Sequence, residues 1–386
     1  MKITEVQATR YSSLTEGYTA EIVIVEVATD TSLGGLGFAS GTSGTSSLVA
    51  DVVERFFGPL LIGQDPLLTE TLWQRLYNHA IPRRGGDGLV RVCLSAVDFA
   101  LWDIKGKQMG VPVATLLGGR REMIPTYANC AHHLEPEALA ERAAEYVSQG
   151  HRALKIRGSR SHVSLRVATD RVRHVRAAIG PDVRLMVDVN GTWDVDTAIQ
   201  QLKAWEPYDV YWLEEPVPPQ DIAGYRRVRA RAGRTYIAGG EQHAGLNEFK
   251  QLIEQDAVDV IQPNAAVTGG ITDWLKIHAF ATAHQVPVSP WNLQMVHLHM
   301  AAGLGNVQWI EYFMPDNALL EFQGRLFKGP VMAETRTDEG IFLQAPVAPG
   351  LGIELDEEVA AQCASSKTGT KNSATASRTE SPKSTT

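Results

Sequence analysis

The sequence predicts an α/β protein in which a small amino-terminal α+β domain precedes a closed parallel (β/α) barrel. From Ile124 onward, short apolar segments alternate with amphipathic ones, and eight such apolar segments occur before residue 324. Acidic residues stand at the ends of three consecutive apolar segments. Alternating strands and helices are typical of a parallel sheet, and eight repeats favour closure of that sheet into a barrel.

Residues 1 to 122 are predicted to form the α+β domain. The segment EIVIVEVATD reads as a strand and is followed by the Gly/Ser-rich segment GGLGFASGTSGTSS. Further along, Leu94, Val97 and Leu101 recur at spacings of three and four residues, which predicts one apolar helix face. These features indicate strands and helices that precede the barrel.

Residues 123 to 324 are predicted to form the barrel. Its strands are the segments IPTYA, ALKIRG, VRLMVDVN, VYWLEEP, TYIAGGE, VDVIQPN, VPVSPW and VQWIEY. In a barrel of this kind the active site lies at the carboxyl ends of the strands. Polar residues at those ends are therefore the first candidates for a functional site.

The composition is that of an ordinary soluble protein, with 44% hydrophobic and 21% charged residues among 386. No apolar run approaches the roughly 18 residues of a membrane span, and the amino terminus lacks the apolar core of a signal peptide. The lack of such a run predicts no membrane partner. Three cysteines suit neither a disulfide framework nor a zinc site, so we expect a reducing cytoplasm. The net charge of -8 argues against a nucleic-acid partner.

Residues 365 to 386 are predicted to be a disordered tail. The segment SSKTGTKNSATASRTESPKSTT lacks large apolar side chains. Such a segment cannot bury enough surface to offset the entropy lost on ordering.

Asp188, Glu214 and Glu241 end three consecutive strands and are separated by 26 and 27 residues, one βα unit each. In a barrel this spacing brings three carboxylates together on one rim, where they repel one another. A hard divalent cation relieves that repulsion, and carboxylate oxygens suit Mg²⁺. One such acid alone could cap a helix or pair with an arginine, but three in succession favour a metal site.

The acid triad and two longer segments together resemble the enolase superfamily, and within it the mandelate racemase/muconate lactonizing enzyme family and its sugar-acid dehydratases. The segments are SAVDFALWDIKGKQMGVPVATLLGG and IQPNAAVTGGITDWLKIHAFATAHQVPVSP. The resemblance implies a modified TIM barrel with an amino-terminal capping domain that is completed by about residues 325 to 360. It also implies a homo-oligomer and a small-molecule carboxylate substrate.

The chemistry implied by the resemblance begins with a carboxylate bound to one Mg²⁺ per site, for which Mn²⁺ could substitute. A base removes the proton α to the carboxylate, and the metal stabilises the enediolate. We expect a lyase that dehydrates a sugar acid to a 2-keto-3-deoxy acid. The alternatives are a racemase, epimerase or cycloisomerase that uses the same intermediate, and a non-catalytic barrel that binds a carboxylate.

The catalytic base is where this sequence departs from the family. Strand two, LKIRG, supplies Lys155 and Arg157 where relatives have Lys-x-Lys. Asn264 and Trp291 occupy the positions of the family's aspartate–histidine dyad. We therefore expect Lys155 to be the base and Arg157 to act electrostatically, since a guanidinium keeps its proton.

The remaining candidates follow other strand ends. His243, two residues past Glu241, is the first choice for the acid, and His132 and His133 follow the first strand. Histidines 297 and 299 are predicted to be packing residues in a helix. The predicted substrate-binding positions, which share a place on the catalytic rim, are Glu311, Asn190, Asn264, Trp291 and His132.

Overall fold

The computed structural model describes residues 1–15, 18–40, 44–82, 87–119, 121–130, 134–158, 164–314, 322, 324–328 and 332–366. The strands are, in chain order, β1 (Ile3–Thr15), β2 (Tyr18–Thr29), β3 (Gly34–Ser40), β4 (Met123–Asn129), β5 (Ala153–Arg157), β6 (Arg184–Asp188), β7 (Val210–Glu214), β8 (Tyr236–Gly239), β9 (Val260–Ile261), β10 (Ile310–Phe313), β11 (Glu334–Thr337), β12 (Gly340–Gln344) and β13 (Ala364–Ser366).

The helices are α1 (Ser46–Asp51), α2 (Gly58–Leu61), α3 (Thr69–Ala80), α4 (Leu89–Met109), α5 (Val113–Leu116), α6 (Pro136–Ser148), α7 (Leu165–Ile179), α8 (Val195–Trp205), α9 (Ile222–Arg229), α10 (Gly245–Glu254), α11 (Ala265–Thr268), α12 (Ile271–Ala283), α13 (Gln294–Gly303) and α14 (Glu357–Cys363). A π-helix, Val52–Phe57, joins α1 to α2, and a 3₁₀ turn, Glu206–Tyr208, follows α8. None of the helices in this described part of the chain is both long enough and apolar enough to cross a membrane.

The amino-terminal sheet has the strand order β13-β1-β2-β3 and is antiparallel. Helix α4 packs against β3 and buries Leu94, Val97 and Leu101 completely, as the helical spacing predicts. Glycines on β3 permit this close approach, because a Cβ atom on Gly37 would lie 1.9 Å from the carbonyl oxygen of Ala96. A side chain at that position would push the helix off the sheet.

The barrel is closed by parallel strands in the order β4 to β9, with β10 returning to pair with β4. The seventh position is a single bridging residue, Val288, which pairs with Ile261 on one side and Val307 on the other. The predicted α/β class, a (β/α) barrel behind an amino-terminal α+β domain, is confirmed.

The carboxyl-terminal segment differs in two places from the expected division of the chain. Strands β11 and β12 form a hairpin that pairs antiparallel with the start of β4, so residues 334–344 lie on the barrel, whereas Phe327 packs against Phe38 of the amino-terminal domain. Strand β13 pairs with β1 and includes Ser365 and Ser366, the first residues assigned to the tail. The unpaired edge of β1 offers backbone hydrogen bonds that order them. Residues 367–386 lie outside the described residues.

Two layers of side chains fill the barrel interior. The lower layer is a buried cluster, mostly apolar, that comprises Tyr127, Ala153, Met186, Trp212, Ala238 and Val260. Side chains two residues further along a strand face the same side, and on five of these strands that residue is polar: Asn129, Lys155, Asp188, Glu214 and Gln262. The polar layer lies at the carboxyl ends of the strands and forms the floor of the candidate site.

Candidate metal and catalytic site

The three predicted metal ligands come together at the carboxyl rim of the barrel. Ligand oxygens of Asp188, Glu214 and Glu241 all lie within 4.8 Å of one another. Asp188 and Glu214 are the last residues of adjacent strands and are partners in the β-ladder. Glu241 lies two residues beyond the end of β8. The sequence spacing of one βα unit therefore does place one acid from each strand at a common point.

Burial makes the negative charge of this triad unfavourable. Desolvation, reinforced by the charge of Glu214, raises the pKa of Asp188 to about 6. Desolvation and the neighbouring carboxylates of Glu215 and Asp188 raise the pKa of Glu241 well above its ordinary value. The Oε2 atoms of Glu214 and Glu241 are buried and have no hydrogen-bond partner among the described residues. Converging, unpartnered carboxylate oxygens fit a divalent cation.

Asn190 links two of the three acids. Its backbone nitrogen donates to Oδ1 of Asp188 at 2.8 Å, and its Nδ2 donates to Oδ2 of Asp188 at 3.1 Å and to Oε1 of Glu241 at 3.5 Å. The backbone of Asn190 has a left-handed φ of 45°, which asparagine adopts more readily than most residues. Asn190 therefore orients two of the three candidate metal ligands; its predicted contact with a substrate stays a prediction.

Lys155 is a fully buried amine in contact with the triad. Its Nζ lies 2.8 Å from Oε1 of Glu214, 2.7 Å from Oε1 of Glu311 and 4.0 Å from Oδ2 of Asp188. Burial by itself lowers the pKa of Lys155, but the charges of Glu214 and Glu311 outweigh it and hold the pKa well above the ordinary value. The side chain is therefore an ammonium ion when no cation shares the carboxylates.

Arg157, two residues further along β5, is more open to solvent. Its Nη2 lies 3.5 Å from Oδ2 of Asp188, and its side chain is 30% exposed. Arg171 on α7 donates from Nε to the carbonyl oxygen of Arg157 at 2.8 Å, which fixes the backbone at the end of β5. Lys155 and Arg157 thus approach the triad from the same strand.

Glu311 is enclosed by protein donors. Besides Lys155, its carboxylate accepts a hydrogen bond from Nδ2 of Asn129 at 2.6 Å and another from the backbone nitrogen of Asn292 at 3.2 Å. Glu311 was predicted to bind substrate. These contacts give it a positioning role for Lys155, and direct contact with a substrate stays a prediction.

Two floor residues were missed by the sequence reasoning. Asn129 ends β4 beside Glu311, and Gln262 is fully buried beside the hydroxyl of Tyr127. The alternation of inward-facing residues could have identified both, because each follows an interior residue, Tyr127 or Val260, at a distance of two.

Asn264 and Trp291 lie at the sixth and seventh strand positions. The Oδ1 atom of Asn264 accepts from the backbone nitrogen of Ala266 at 2.9 Å and so caps α11. Trp291 is partly exposed beyond the bridge at Val288. With a helix cap at one position and an indole at the other, these two residues cannot relay a proton as an aspartate–histidine pair does.

The described histidines make no hydrogen bond with the triad. His243 is 4% exposed, and burial lowers its pKa to about 4 despite a hydrogen bond with the backbone of Pro219. Its ring packs near Phe249, with 6.1 Å between ring centroids, and it has no hydrogen bond with the triad or Lys155 among the described residues. His132 and His133 lie outside the described residues.

His297 and His299 are buried on α13, as predicted for packing residues. His297 donates from Nδ1 to the carbonyl oxygen of Asn292 at 2.6 Å and accepts at Nε2 from the nitrogen of Ala265 at 3.1 Å. This pattern requires a neutral ring, and desolvation lowers the pKa of both histidines to about 4. His297 therefore ties the sixth strand end to the seventh without entering the site.

Comparison with known families matches both parts of the chain. Residues 2–118 match the mandelate racemase/muconate lactonizing enzyme amino-terminal domain, and residues 138–359 match the enolase carboxyl-terminal domain-like family. The chain belongs to the enolase superfamily. Within it, the amino-terminal match assigns the chain to the mandelate racemase/muconate lactonizing enzyme group, so the predicted resemblance is confirmed.

Relatives with assigned activities are both isomerases and lyases. The chain is 35% identical to D-galactarolactone cycloisomerase of Agrobacterium fabrum, over 87% of this chain and 89% of the relative. It is 31% identical to L-talarate/galactarate dehydratase of Salmonella typhimurium, over 90% of this chain and 83% of the relative. The structure of L-talarate dehydratase from Polaromonas sp. JS666, complexed with Mg and L-glucarate, matches with a TM-score of 0.82 at 29% identity, over 96% of this chain and 99% of that one. The relatives are sugar-acid enzymes, which supports an enzymatic role here.

Proposed function

We propose that this protein is a Mg²⁺-dependent dehydratase that converts a sugar acid to a 2-keto-3-deoxy acid. The observation that carries the proposal is the position of Lys155, whose ammonium lies within 4.0 Å of two members of the acidic triad. A proton-transfer group directly beside a metal site is what α-proton removal from a bound carboxylate requires. The dehydratases among the relatives support the same reaction class.

Asp188, Glu214 and Glu241 would hold the cation, with Asn190 orienting two of them. Mg²⁺, when bound, supplies Lewis acidity to the substrate carboxylate and so lowers the free energy of the enediolate. Substitution by Mn²⁺, a cytoplasmic location and a homo-oligomeric state stay predictions from the sequence.

Lys155 would remove the α-proton. In the absence of a cation, the charge of Glu214 raises the pKa of Lys155. A cation bound to Glu214 would weaken this effect, whereas the desolvation that lowers the pKa of Lys155 would persist. In the proposed step the neutral amine takes the proton at Nζ. Glu311 then stabilises the resulting ammonium from 2.7 Å.

Loss of the β-hydroxyl would occur on the face that Lys155 occupies. The ammonium formed by the first transfer donates its proton to the departing hydroxide, which leaves as water in a syn elimination. His243 is less suited to the acid role predicted for it, because a pKa of about 4 leaves its ring neutral near pH 7. Arg157 would interact with the substrate through its charge alone.

A cycloisomerase is the second candidate, since the 35% identical relative from Agrobacterium fabrum has that activity. Both reactions can begin with removal of an α-proton and differ in the group that leaves. A dehydratase releases water from an open-chain acid, whereas a cycloisomerase opens or closes a ring without net loss of atoms. The substrate consumed, an open-chain acid or a lactone, therefore distinguishes them.

The test is NMR of the Mg²⁺-loaded protein in D₂O with a pool of open-chain sugar acids and, separately, with a pool of their lactones. New methylene signals of a 2-keto-3-deoxy acid are expected from the open-chain acids, absent with Glu214→Gln and retained with the exposed control Glu254→Gln. Keto-acid methylene signals that arise from a lactone, with the open-chain acids left unconsumed, would establish the cycloisomerase instead. Deuterium incorporation without elimination would indicate a racemase or epimerase. Absence of any exchange in a protein that binds Mg²⁺ would overturn the enzymatic proposal in favour of a carboxylate-binding barrel.

A further inference from the structure

The amino-terminal face of the barrel, opposite the metal site, contains two adjoining cavities of about 730 and 550 Å³. They meet at Gly233, Arg234 and Tyr236, which line both. We call the pair the basal cavity. It opens near the amino ends of β6, β7 and β8, the strands whose carboxyl ends lead to the metal triad. Strands of four or five residues separate the two sites by about 15 Å.

The lining of the basal cavity is strongly basic. It contains seven arginines and four aspartates, a local excess of three positive charges in a chain of net charge -8. The arginines are Arg176, Arg184, Arg226, Arg227, Arg229, Arg231 and Arg234. Five of them fall within the segment YRRVRARAGR, which forms the end of α9 and the loop after it. The segment therefore concentrates positive charge in one concave surface.

Several of these arginines have structural partners. Arg229 pairs with Asp259 at 2.7 Å and with Asp256 at 3.6 Å, and so neutralises both aspartates of the larger cavity. Arg176 donates to four backbone carbonyl oxygens around the start of β6 and β7. Arg227 lies 3.5 Å from Asp196. The aspartates of the larger cavity are thus already engaged.

Three arginines of the YRRVRARAGR segment remain without a carboxylate partner among the described residues. Arg226 and Arg234 are exposed and make no side-chain hydrogen bond there, and Arg231 donates only to the carbonyl oxygen of Arg227. A helix dipole accounts for basic residues in the last turn of α9, but its effect ends within that turn. Arg231 and Arg234 lie beyond it. Both line the larger cavity and are open to an external anion.

We infer that the basal cavity binds a small, multiply charged oxyanion, the phosphate or dicarboxylate group of a metabolite, through Arg226, Arg231 and Arg234. Guanidinium groups bind phosphate and carboxylate oxygens in bidentate fashion. A single exposed ion pair contributes at most about 1 kcal/mol, so useful affinity needs an anion that engages several arginines. A volume of about 730 Å³ accommodates a small molecule. The inference does not depend on the proposed dehydratase activity.

The test is calorimetric titration of the full-length, Mg²⁺-loaded protein with inorganic phosphate and, separately, with succinate. Saturable binding of one probe or both is expected in the wild-type protein. The double variant Arg226→Ala/Arg234→Ala should weaken it at least tenfold, since two of the three ligating groups are removed. Arg166→Ala removes an exposed arginine on α7 outside the cavity and should leave binding unchanged. The three arginines of the proposed site and the control arginine are all exposed, so the fold should survive their replacement; they are Arg226, Arg231, Arg234 and Arg166.

A third variant, Glu214→Gln, separates the basal cavity from the catalytic rim. Binding that survives Glu214→Gln but is lost in the double arginine variant supports the basal site. Binding lost only in Glu214→Gln would overturn it, because the anion would then occupy the metal site. Absence of saturable binding of both probes, or equal affinity in every variant, would overturn it as well. Preference for phosphate over succinate, or the reverse, identifies the class of metabolite.

Discussion

The Nζ atom of Lys155 lies 2.7 Å from Oε1 of Glu311, and both side chains are completely buried. The two residues come from β5 and β10, the strands on either side of β4. Asn129, at the end of β4 itself, donates to the same oxygen of Glu311. The first, second and eighth strands of the barrel are therefore joined by one buried polar cluster beside the metal triad.

Replacement of Glu311 should destabilise the protein in proportion to the hydrogen bonds lost. Glu311→Leu leaves Lys155 and Asn129 without this partner and should cost about 3 to 5 kcal/mol, the usual effect of breaking a buried ion pair. Glu311→Gln keeps an oxygen acceptor and should cost less. Urea unfolding midpoints of the two variants test this, and equal midpoints for Leu, Gln and wild type would contradict it.

Substitution of Lys155 distinguishes a base from a fixed charge. If Lys155 removes the α-proton, both Lys155→Met and Lys155→Arg should lower the rate of α-proton exchange at least a hundredfold, because a guanidinium keeps its proton. Substrate affinity in Lys155→Arg should change much less. Substantial exchange in Lys155→Arg would instead assign Lys155 a purely electrostatic role.

Arg157→Lys recreates the Lys-x-Lys pattern of relatives and provides a matched gain-of-function variant. Lysine releases its proton at a lower pH than arginine does. A second amine at this partly exposed position should therefore extend α-proton exchange toward lower pH. The measurement is the pH profile of deuterium incorporation. An unchanged profile would mean that position 157 does not reach the α-carbon.

Divalent cations should stabilise the folded protein. Repulsion among the buried carboxylates of Asp188, Glu214 and Glu241 opposes folding until a cation shares their charge. At about 100 times its dissociation constant, Mg²⁺ should add about 2.7 kcal/mol, visible as a higher thermal unfolding midpoint that EDTA reverses. Glu214→Gln should abolish most of this response, and a full response in that variant would argue against the triad as the metal site.

Acid should destabilise the protein through buried neutral histidines. Burial lowers the pKa of His151 to about 4 in the folded state, whereas an unfolded histidine has an ordinary pKa of 6.5. The unfolded chain therefore binds more protons between these values, and stability present above pH 6.5 is lost as the pH falls toward 4. For one such histidine the loss amounts to about 3 kcal/mol.

His151→Phe should reduce this pH dependence, because a phenyl ring can pack against Tyr146 and Tyr312 without a proton to bind. The exposed His284 provides the control, and His284→Gln should leave the dependence unchanged. Unfolding midpoints between pH 4 and 7 test both variants. The same slope in His151→Phe as in wild type would assign the acid sensitivity to the other buried histidines.

Much of the architecture could be predicted from the sequence because local periodicity carries it. Apolar segments at βα spacing predicted the barrel, and the acids at positions 188, 214 and 241 were predicted to meet because parallel strands end on one rim. The helix face at Leu94, Val97 and Leu101 followed from spacing alone. The placement of β12 on β4 did not, since antiparallel pairing at a strand edge depends on which backbone groups the closed barrel leaves free.

By itself, the sequence determined the fold class, the identity of the candidate metal ligands and the absence of the usual aspartate–histidine dyad at positions 264 and 291. Only the tertiary structure decided what surrounds them: that Glu311 is bound to Lys155, that Asn264 caps α11, and that His243 faces Pro219. Strand order and spacing are local properties that repeat along the chain. Side-chain partners across the barrel depend on its closure and register, which bring together residues such as Lys155 and Glu311 that lie more than a hundred positions apart in the chain.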